Sequence, residues 1–331
     1  MGSSLKPRGL FGNDSGFALI LTILIISLIV ALTLQFNTSM RSDLDAAANL
    51  RDAVSLGCIT RSGFDCALAV LSQDASESDF DSLREAWAYS KALSSNSALL
   101  FSEGRFEVHI IDHSGRIQIN RLVDGDGAYN TKQKDLLTRF LSLEQFDLDP
   151  EEVDGLMDAV KDWVDPDNEV TDSGAENTYY QALARPYPCK NAPLEFPQEL
   201  LSIRGIIREL YYGTKEKPGI ANYLAVHGDG KININTADPL ILRSLSPQID
   251  QEMAEDMVAY REDGDNDLSA ATWYKSVPGL DHVTIDPDLA TTSSAYFEIR
   301  SEGFKDSMSQ GICGMVERKE GTLRILSWKT E

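Results

Sequence analysis

Between Asp14 and Arg41 the chain carries no charged side chain. From Phe17 to Phe36 the run FALILTILIISLIVALTLQF is broken only by Thr22, Ser27, Thr33 and Gln35. That absence excludes an ordinary surface helix. About 20 helical residues match a hydrocarbon core of roughly 30 Å, and a backbone in lipid must bond to itself, so a membrane-spanning helix is predicted over 17–36. Small residues of the A-x-A type are also missing after the run, which excludes an ordinary secretory signal. The small residue Gly16 stands before it instead.

Bases are scarce as well. The 30 Lys and Arg residues face 52 Asp and Glu, for a formal net charge of -22. Such a surface repels phosphates, so nucleic acid is excluded as a partner and cations are the natural small ones. Lys6 and Arg8 precede the span and an acid-rich region follows it, which orients the N-terminal stub inward and the C-terminal part outward. Only four cysteines are present, Cys58, Cys66, Cys189 and Cys313; an outward, oxidising location permits a disulfide. Cys58 and Cys66 fall on one predicted helix, where eight residues rise about 12 Å, too far for a bridge. Any other pairing stays open. Catalytic signatures are missing too: there is no HExxH and no G-x-S-x-G, and HGDGKI at His227 has neither the spacing nor the following residue of a Walker A loop. The chain is read as no enzyme.

What is there begins with helical spacing over 37–72, at Leu44, Ala47, Ala48, Val54, Leu56, Ile59, Leu68 and Leu71, which continues the span as an amphipathic helix. Residues 73–82 read as a loop and 83–100 as further helix. RFEVHIIDHSGRIQIN at 105–120 alternates about a turn at Asp112 to Gly115 and predicts a β-hairpin. His109 and His113 lie in or beside it without a third ligand at metal-site spacing. Helices are expected at 135–146 and at 151–164, the second opened by Asp149-Pro150. They are expected again at 198–212, 239–245 and 250–261. Strand patterning returns at 296–301, 311–316 and 323–328. If the early and late strands form one sheet, the helical block is inserted in it.

Two stretches invite a ligand. GKININTADPL at 230–240 is similar to runs that precede DNA-binding helix-hairpin-helix units, but the turn Leu245-Ser246-Pro247-Gln248-Ile249 lacks glycine, and Asp250, Glu252, Glu255 and Asp256 would repel a phosphate. It is read as scaffold, with Asn233 and Asn235 bonding backbone. Residues 162–180 are the densest carboxylate stretch: Asp162, Asp165, Asp167, Glu169, Asp172, Glu176 and Asn177 offer hard oxygen ligands that Pro166 and Gly174 can bend together. Ca²⁺ accepts roughly six to eight oxygens in flexible geometry, so an irregular loop can hold it. DGDG at 124–127 is a weaker candidate. DGDNDL at 263–268 fails as an EF-hand, because Leu268 and Tyr274 stand where Gly and Glu are required.

Gly16, Phe17 and the apolar run resemble a class III, type IV pilin-like leader. In that superfamily a prepilin peptidase cuts after the Gly and methylates the new amine, which implies Gly16 and Phe17 as the cleavage pair and 1–16 as leader. DWVDPDNE at 162–169, GAENTYY at 174–180, CKNAPLEFPQELLSIRG at 189–205 and GKININTADPLILRSL at 230–245 resemble the K-type minor pseudopilins of type II secretion systems (the GspK family). The resemblance runs from Gly16 to Trp328. It implies an α+β fold: a long N-terminal transmembrane helix, a pilin-like αβ domain from 37–120 and 290–331, and an inserted all-helical domain over 121–289. It implies calcium in that inserted domain. Most pilin-like subunits carry Glu five residues into the mature chain, where this one has Leu21; that departure is similar to the K-type subunit, which the family places at the pseudopilus tip. The implied role is to cap the tip, initiate assembly and support protein export, from a single-pass position in the inner membrane with the C-terminal domain in the periplasm. The implied partners are I- and J-type minor pseudopilins, through them the major pseudopilin, and the prepilin peptidase. A minor pilin of a surface fibre and an anchored calcium-dependent binding module are the alternatives.

Overall fold

The structure, a computed structural model, describes residues 14–330. Lys6 and Arg8 therefore lie outside the described residues. In chain order the helices and strands are α1 (Asp14–Glu77), α2 (Ser90–Asn96), β1 (Arg105–Asp112), β2 (Ile117–Gln118), α3 (Thr131–Leu141), α4 (Pro150–Val164), α5 (Asn177–Gln181), α6 (Arg208–Tyr212), β3 (Leu224–Ala225), β4 (Ile232–Asn233), α7 (Pro239–Leu245), α8 (Gln251–Glu262), β5 (Ala290–Thr291), β6 (Tyr296–Lys305), β7 (Met308–Lys319) and β8 (Thr322–Thr330). The described residues divide into two compact units, with the boundary between Gly57 and Cys58.

The first unit is the apolar part of α1. Its most apolar stretch has a mean hydropathy of 3.0 and none of it is buried, so it is long and apolar enough to cross a membrane. The polar interruptions are absorbed locally. The hydroxyls of Thr22, Ser27 and Thr33 donate to the carbonyls of Leu19, Ile23 and Ile29 at 2.8, 2.7 and 2.7 Å, so these three donors are met within the helix and do not face lipid unpaired. The Gly16–Phe17 bond falls in the first turn of α1, and Leu21 is exposed on it.

In the second unit the remaining turns of α1 cover one face of an antiparallel sheet with strand order β1-β6-β7-β8. The alternation in β1 turns Phe106, Val108 and Ile110 inward to meet Ile59, Phe64, Ala67 and Leu71 of α1. Two glycines set the spacing of the layers. A Cβ on Gly63 would lie 2.3 Å from Ser301 Oγ, and one on Gly303 would lie 2.3 Å from Thr60 Oγ1. Only a missing side chain on each layer lets Ser301 Oγ donate to Thr60 O at 2.7 Å. Between β1 and β6 the chain builds a second hydrophobic core, from Ile117 to Ala290, out of α3 to α8 and two short parallel strand pairs, β2–β3 and β4–β5. The fold is thus α+β, a pilin-like αβ layer interrupted by a largely helical insertion.

Polar side chains join the two cores. Arg84 donates to the carbonyls of Asp263 and Asn266 at 2.6 and 2.8 Å, and Asn233 and Asn235 both donate to Asp81 O at 3.1 Å. Asp112, buried at the end of β1, accepts from Ser114 N and Ser294 Oγ, both at 2.7 Å, and from Thr236 Oγ1. GKININ is therefore a joint between the cores. The loop that failed as an EF-hand is closed by Arg84, with Leu268 in the core.

Four expectations are corrected. The loop expected over 73–82 begins only after Glu77, where α1 ends. No hairpin spans 105–120: β1 pairs with β6, and β2 pairs with β3. The alternation persists across the turn because each strand has a buried face, but Ile117 and Ile119 face the second core. The helix expected over 83–100 shrinks to α2 and a short 3-10 turn, because Glu85 Oε2 draws in Ser82 N and Trp87 Nε1, both at 2.9 Å, and bends the chain. The helix expected over 198–212 splits into a 3-10 turn and α6 at Gly205, whose φ of +87° a helix cannot hold. None of the four cysteines is in a disulfide.

Candidate metal centre

The acidic stretch takes its shape from α4. Asp149 caps the helix through a reciprocal box with Glu152, Pro150 opens it, and Asp165-Pro166 closes it, since the residue before proline is driven to extended backbone. Asp162 and Asp165 are thereby fixed in the last turn, both fully buried. The loop then returns through Thr171 and Gly174 to Glu176, the N-cap of α5.

Among the described residues, carboxylate oxygens of Asp165, Asp167 and Glu176 come within 4.8 Å of one another. Asp165 and Glu176 are buried and Asp167 lies on the exposed rim. Asp165 Oδ2 accepts from Lys161 Nζ at 2.6 Å, while Asp165 Oδ1 and Glu176 Oε1 are buried without a hydrogen-bond partner. The carbonyl oxygen of the Asn191 side chain is buried and unmet too, and its amide donates to the Asp167 carbonyl. Two orphaned carboxylate oxygens within a group of three acids, beside a side chain whose own oxygen is unmet, fit a hard cation with oxygen ligands. Burial pushes the Glu176 carboxyl above the ordinary range, and Asp162, Asp165 and Asp167 push it further; only its bond from Asn177 N opposes this.

The other expected residues have different work. Both Asp162 oxygens accept from Thr171 N, at 3.1 and 3.3 Å, so it folds the loop; burial raises its pKa. Gly174 is required there, because a Cβ would meet Asp162 Oδ2 at 2.0 Å. Asn177 Oδ1 accepts from Cys189 N at 3.1 Å and ties in the 189–205 stretch. Glu169 and Asp172 are exposed and stand outside the three-carboxylate group. The DGDG turn abuts the centre: a Cβ added at Gly127 would lie 3.6 Å from the Asp165 Cβ. Lys161 and Asn191 were not expected. Lys161 is legible as the i, i+4 partner of Asp165, whereas nothing in the sequence links Asn191 to a loop more than twenty residues upstream.

A second acidic group, Asp74, Asp81 and Glu85, has equally close oxygens. Its cation is part of the chain. Arg318 donates to Asp74 Oδ2 and to the Ser294 carbonyl, both at 2.9 Å, and to Asp81. It is an ion-paired strut between α1, the following loop and β7.

The described residues thus combine a helix long and apolar enough to cross a membrane with a pilin-like sheet split by a helical insertion. Residues 115–215 match the family model described as Type II secretion system (T2SS), protein K. The Type II secretion system protein K of Aeromonas hydrophila is 25% identical over 310 residues, covering 87% of this chain and 88% of that protein. Its counterpart from Pseudomonas aeruginosa is 26% identical over 325 residues, covering 95% and 92%. Among solved structures, a chain of the GspK-GspI-GspJ complex from the enterotoxigenic Escherichia coli Type 2 Secretion System aligns with a TM-score of 0.69 at 17% identity, over 86% of this chain and 99% of that one. Family model, relatives and fold agree on a K-type minor pseudopilin.

Proposed function

We propose that the chain is inserted in the inner membrane by the apolar part of α1, is cut after Gly16 and methylated on Phe17, and joins I- and J-type minor pseudopilins in a complex that starts and caps a periplasmic pseudopilus. The observation that carries this reading is the pilin-like layer, with an apolar α1, interrupted by a helical domain larger than the layer itself. Leu21 supports it. A glutamate at that depth costs a few kcal/mol on insertion scales and is kept where it meets the terminal amine of a neighbour. A subunit at the tip has no neighbour above it. Its own Phe17 amine remains available to the subunit below.

In this reading the protein performs mechanical work rather than catalysis. The insertion blocks addition above, while growth from the membrane pushes the tip toward an outer-membrane pore. Ca²⁺ bound by Asp165, Asp167, Glu176 and the Asn191 oxygen would supply the charge that the orphaned oxygens lack and hold the loop between α4 and α5 in one shape.

The test is co-expression with I- and J-type subunits and prepilin peptidase. The expected result is a ternary complex of equal stoichiometry, with the chain beginning at an N-methylated Phe17 by mass spectrometry. A chain recovered intact from Met1 and free of both subunits would overturn the reading.

A further inference from the structure

The two edges of the four-stranded sheet are finished differently. At β1 the outward backbone groups are met by serines: Ser94 Oγ accepts from Val108 N at 3.0 Å, and Ser97 Oγ accepts from Phe106 N at 3.1 Å while donating to Phe106 O at 2.7 Å. At the opposite edge β8 has β7 on one side and, among the described residues, no strand on the other. A nine-residue edge of this kind is a ready template for another strand.

Its side chains say which strand. Arg324 is opposite Glu317 and Lys329 opposite Cys313, four positions apart on β7, so both bases share one face. They do so because of a bulge: Leu326 has no partner between Ile325 and Ser327, and the spacing of five in sequence becomes four in the ladder. Ile325 and Trp328, opposite Val316 and Gly314, share the other face, toward α1, where Trp328 meets the Phe64 ring at a centroid distance of 4.7 Å. Both stay about 40% open to solvent (43% and 39%), and Arg324 is 74% exposed, with Glu317 as far as 3.8 Å. β8 contains no acid in a chain of net charge -22.

We infer that β8 is a docking edge for an extended segment of another protein, one with acids four residues apart on one face and apolar side chains on the other. Such a segment adds to the sheet as a fifth strand. Its carboxylates meet Arg324 and Lys329, and its apolar face completes the cover over Ile325 and Trp328. A second copy of this chain is the wrong occupant, because pairing β8 with β8 sets bases against bases, and like charges across a ladder are unfavourable. The bulge and the two bases keep the edge from indiscriminate pairing while leaving it open to the complementary strand. This inference does not rest on the assembly proposed above.

The experiment uses the full chain in detergent micelles and two nine-residue peptides, one alternating Glu with Val and Tyr, the other with Lys in place of each Glu. The acidic peptide is expected to slow amide hydrogen exchange in β8, and the basic one to bind about tenfold more weakly. The double variant R324E/K329E is expected to reverse that preference. Equal binding of the two peptides, protection away from β8, or self-association of the chain that β8 substitutions abolish would each overturn the inference. If the double variant does not fold, the peptide comparison on the unaltered chain still decides.

Discussion

Lys161 Nζ lies 2.6 Å from Asp165 Oδ2, while the other oxygen of the same buried carboxylate has no partner. One positive charge is therefore shared among Asp165, Asp167 and Glu176, a number that suits a divalent ion beside the lysine. The strut at Arg318 is the opposite case, since there the guanidinium reaches both buried carboxylates.

Calcium is expected to raise the melting temperature. At a hundredfold excess over the dissociation constant a ligand adds about 2.7 kcal/mol, or roughly 5 to 10 °C for a domain of this size. The pair D165N/E176Q is expected to lose the shift, and E169Q to keep it. Scanning fluorimetry with calcium and with chelator measures both.

Arg318→Met is expected to cost about 3 to 5 kcal/mol near neutral pH, because it strands two buried carboxylates without their cation. Burial already raises the Asp74 pKa to about 6, against the bond from Arg318 that lowers it. Removing the arginine raises it further. The loss should shrink at pH 5, where Asp74 carries a proton, and urea titrations at pH 7.5 and 5 make the comparison.

Asp112 gives a pH dependence of defined sign. Burial raises its pKa to about 6, against the hydroxyls of Thr236 and Ser294 and the Ser114 amide, which lower it. Its unfolded value is about 4. The stabilising contribution of this group is complete below pH 4 and is lost as the pH rises through 6. Asp112→Asn keeps the hydrogen-bonding shape, with both hydroxyls turned to accept, and should flatten the slope between pH 4 and 6. Denaturant midpoints across that range test it.

Gly63→Val is expected to destabilise by about 1 to 3 kcal/mol through overpacking against Ser301 and Phe106. Gly155→Ala, where an added Cβ meets nothing within 4 Å, is the control. Thermal melts of the two variants should separate.

How much of this was legible depended on how local the cause was. Asp149-Pro150 and Asp165-Pro166 bracket α4 by backbone chemistry alone, and the ends of that helix were readable to within a residue or two. The strands β6 and β7 were readable because one face of each stays dry, and β8 because its apolar and polar residues alternate although none is fully buried. Alternation reports a buried face but not which core buries it, and so the stretch 105–120 read as one hairpin although its halves belong to different cores. The acidic loop was legible as a cluster. Which carboxylates converge was not, because Asp162 is claimed by Thr171 N and Asn177 by Cys189 N, bonds set by how the loop closes.

β1 and β6 are hydrogen-bonded neighbours, yet residues 113 to 295 lie between them. Closing a loop of that length carries a large entropic debt unless the intervening chain has already compacted. The sheet is thus expected to assemble late, after the insertion has gathered into its own core and drawn Asp112 and Tyr296 together. Until then α1 and the C-terminal meander have no β1 to bridge them. A lesion deep in the insertion, far from any strand of the sheet, will accordingly show first as slow refolding of the pilin-like layer.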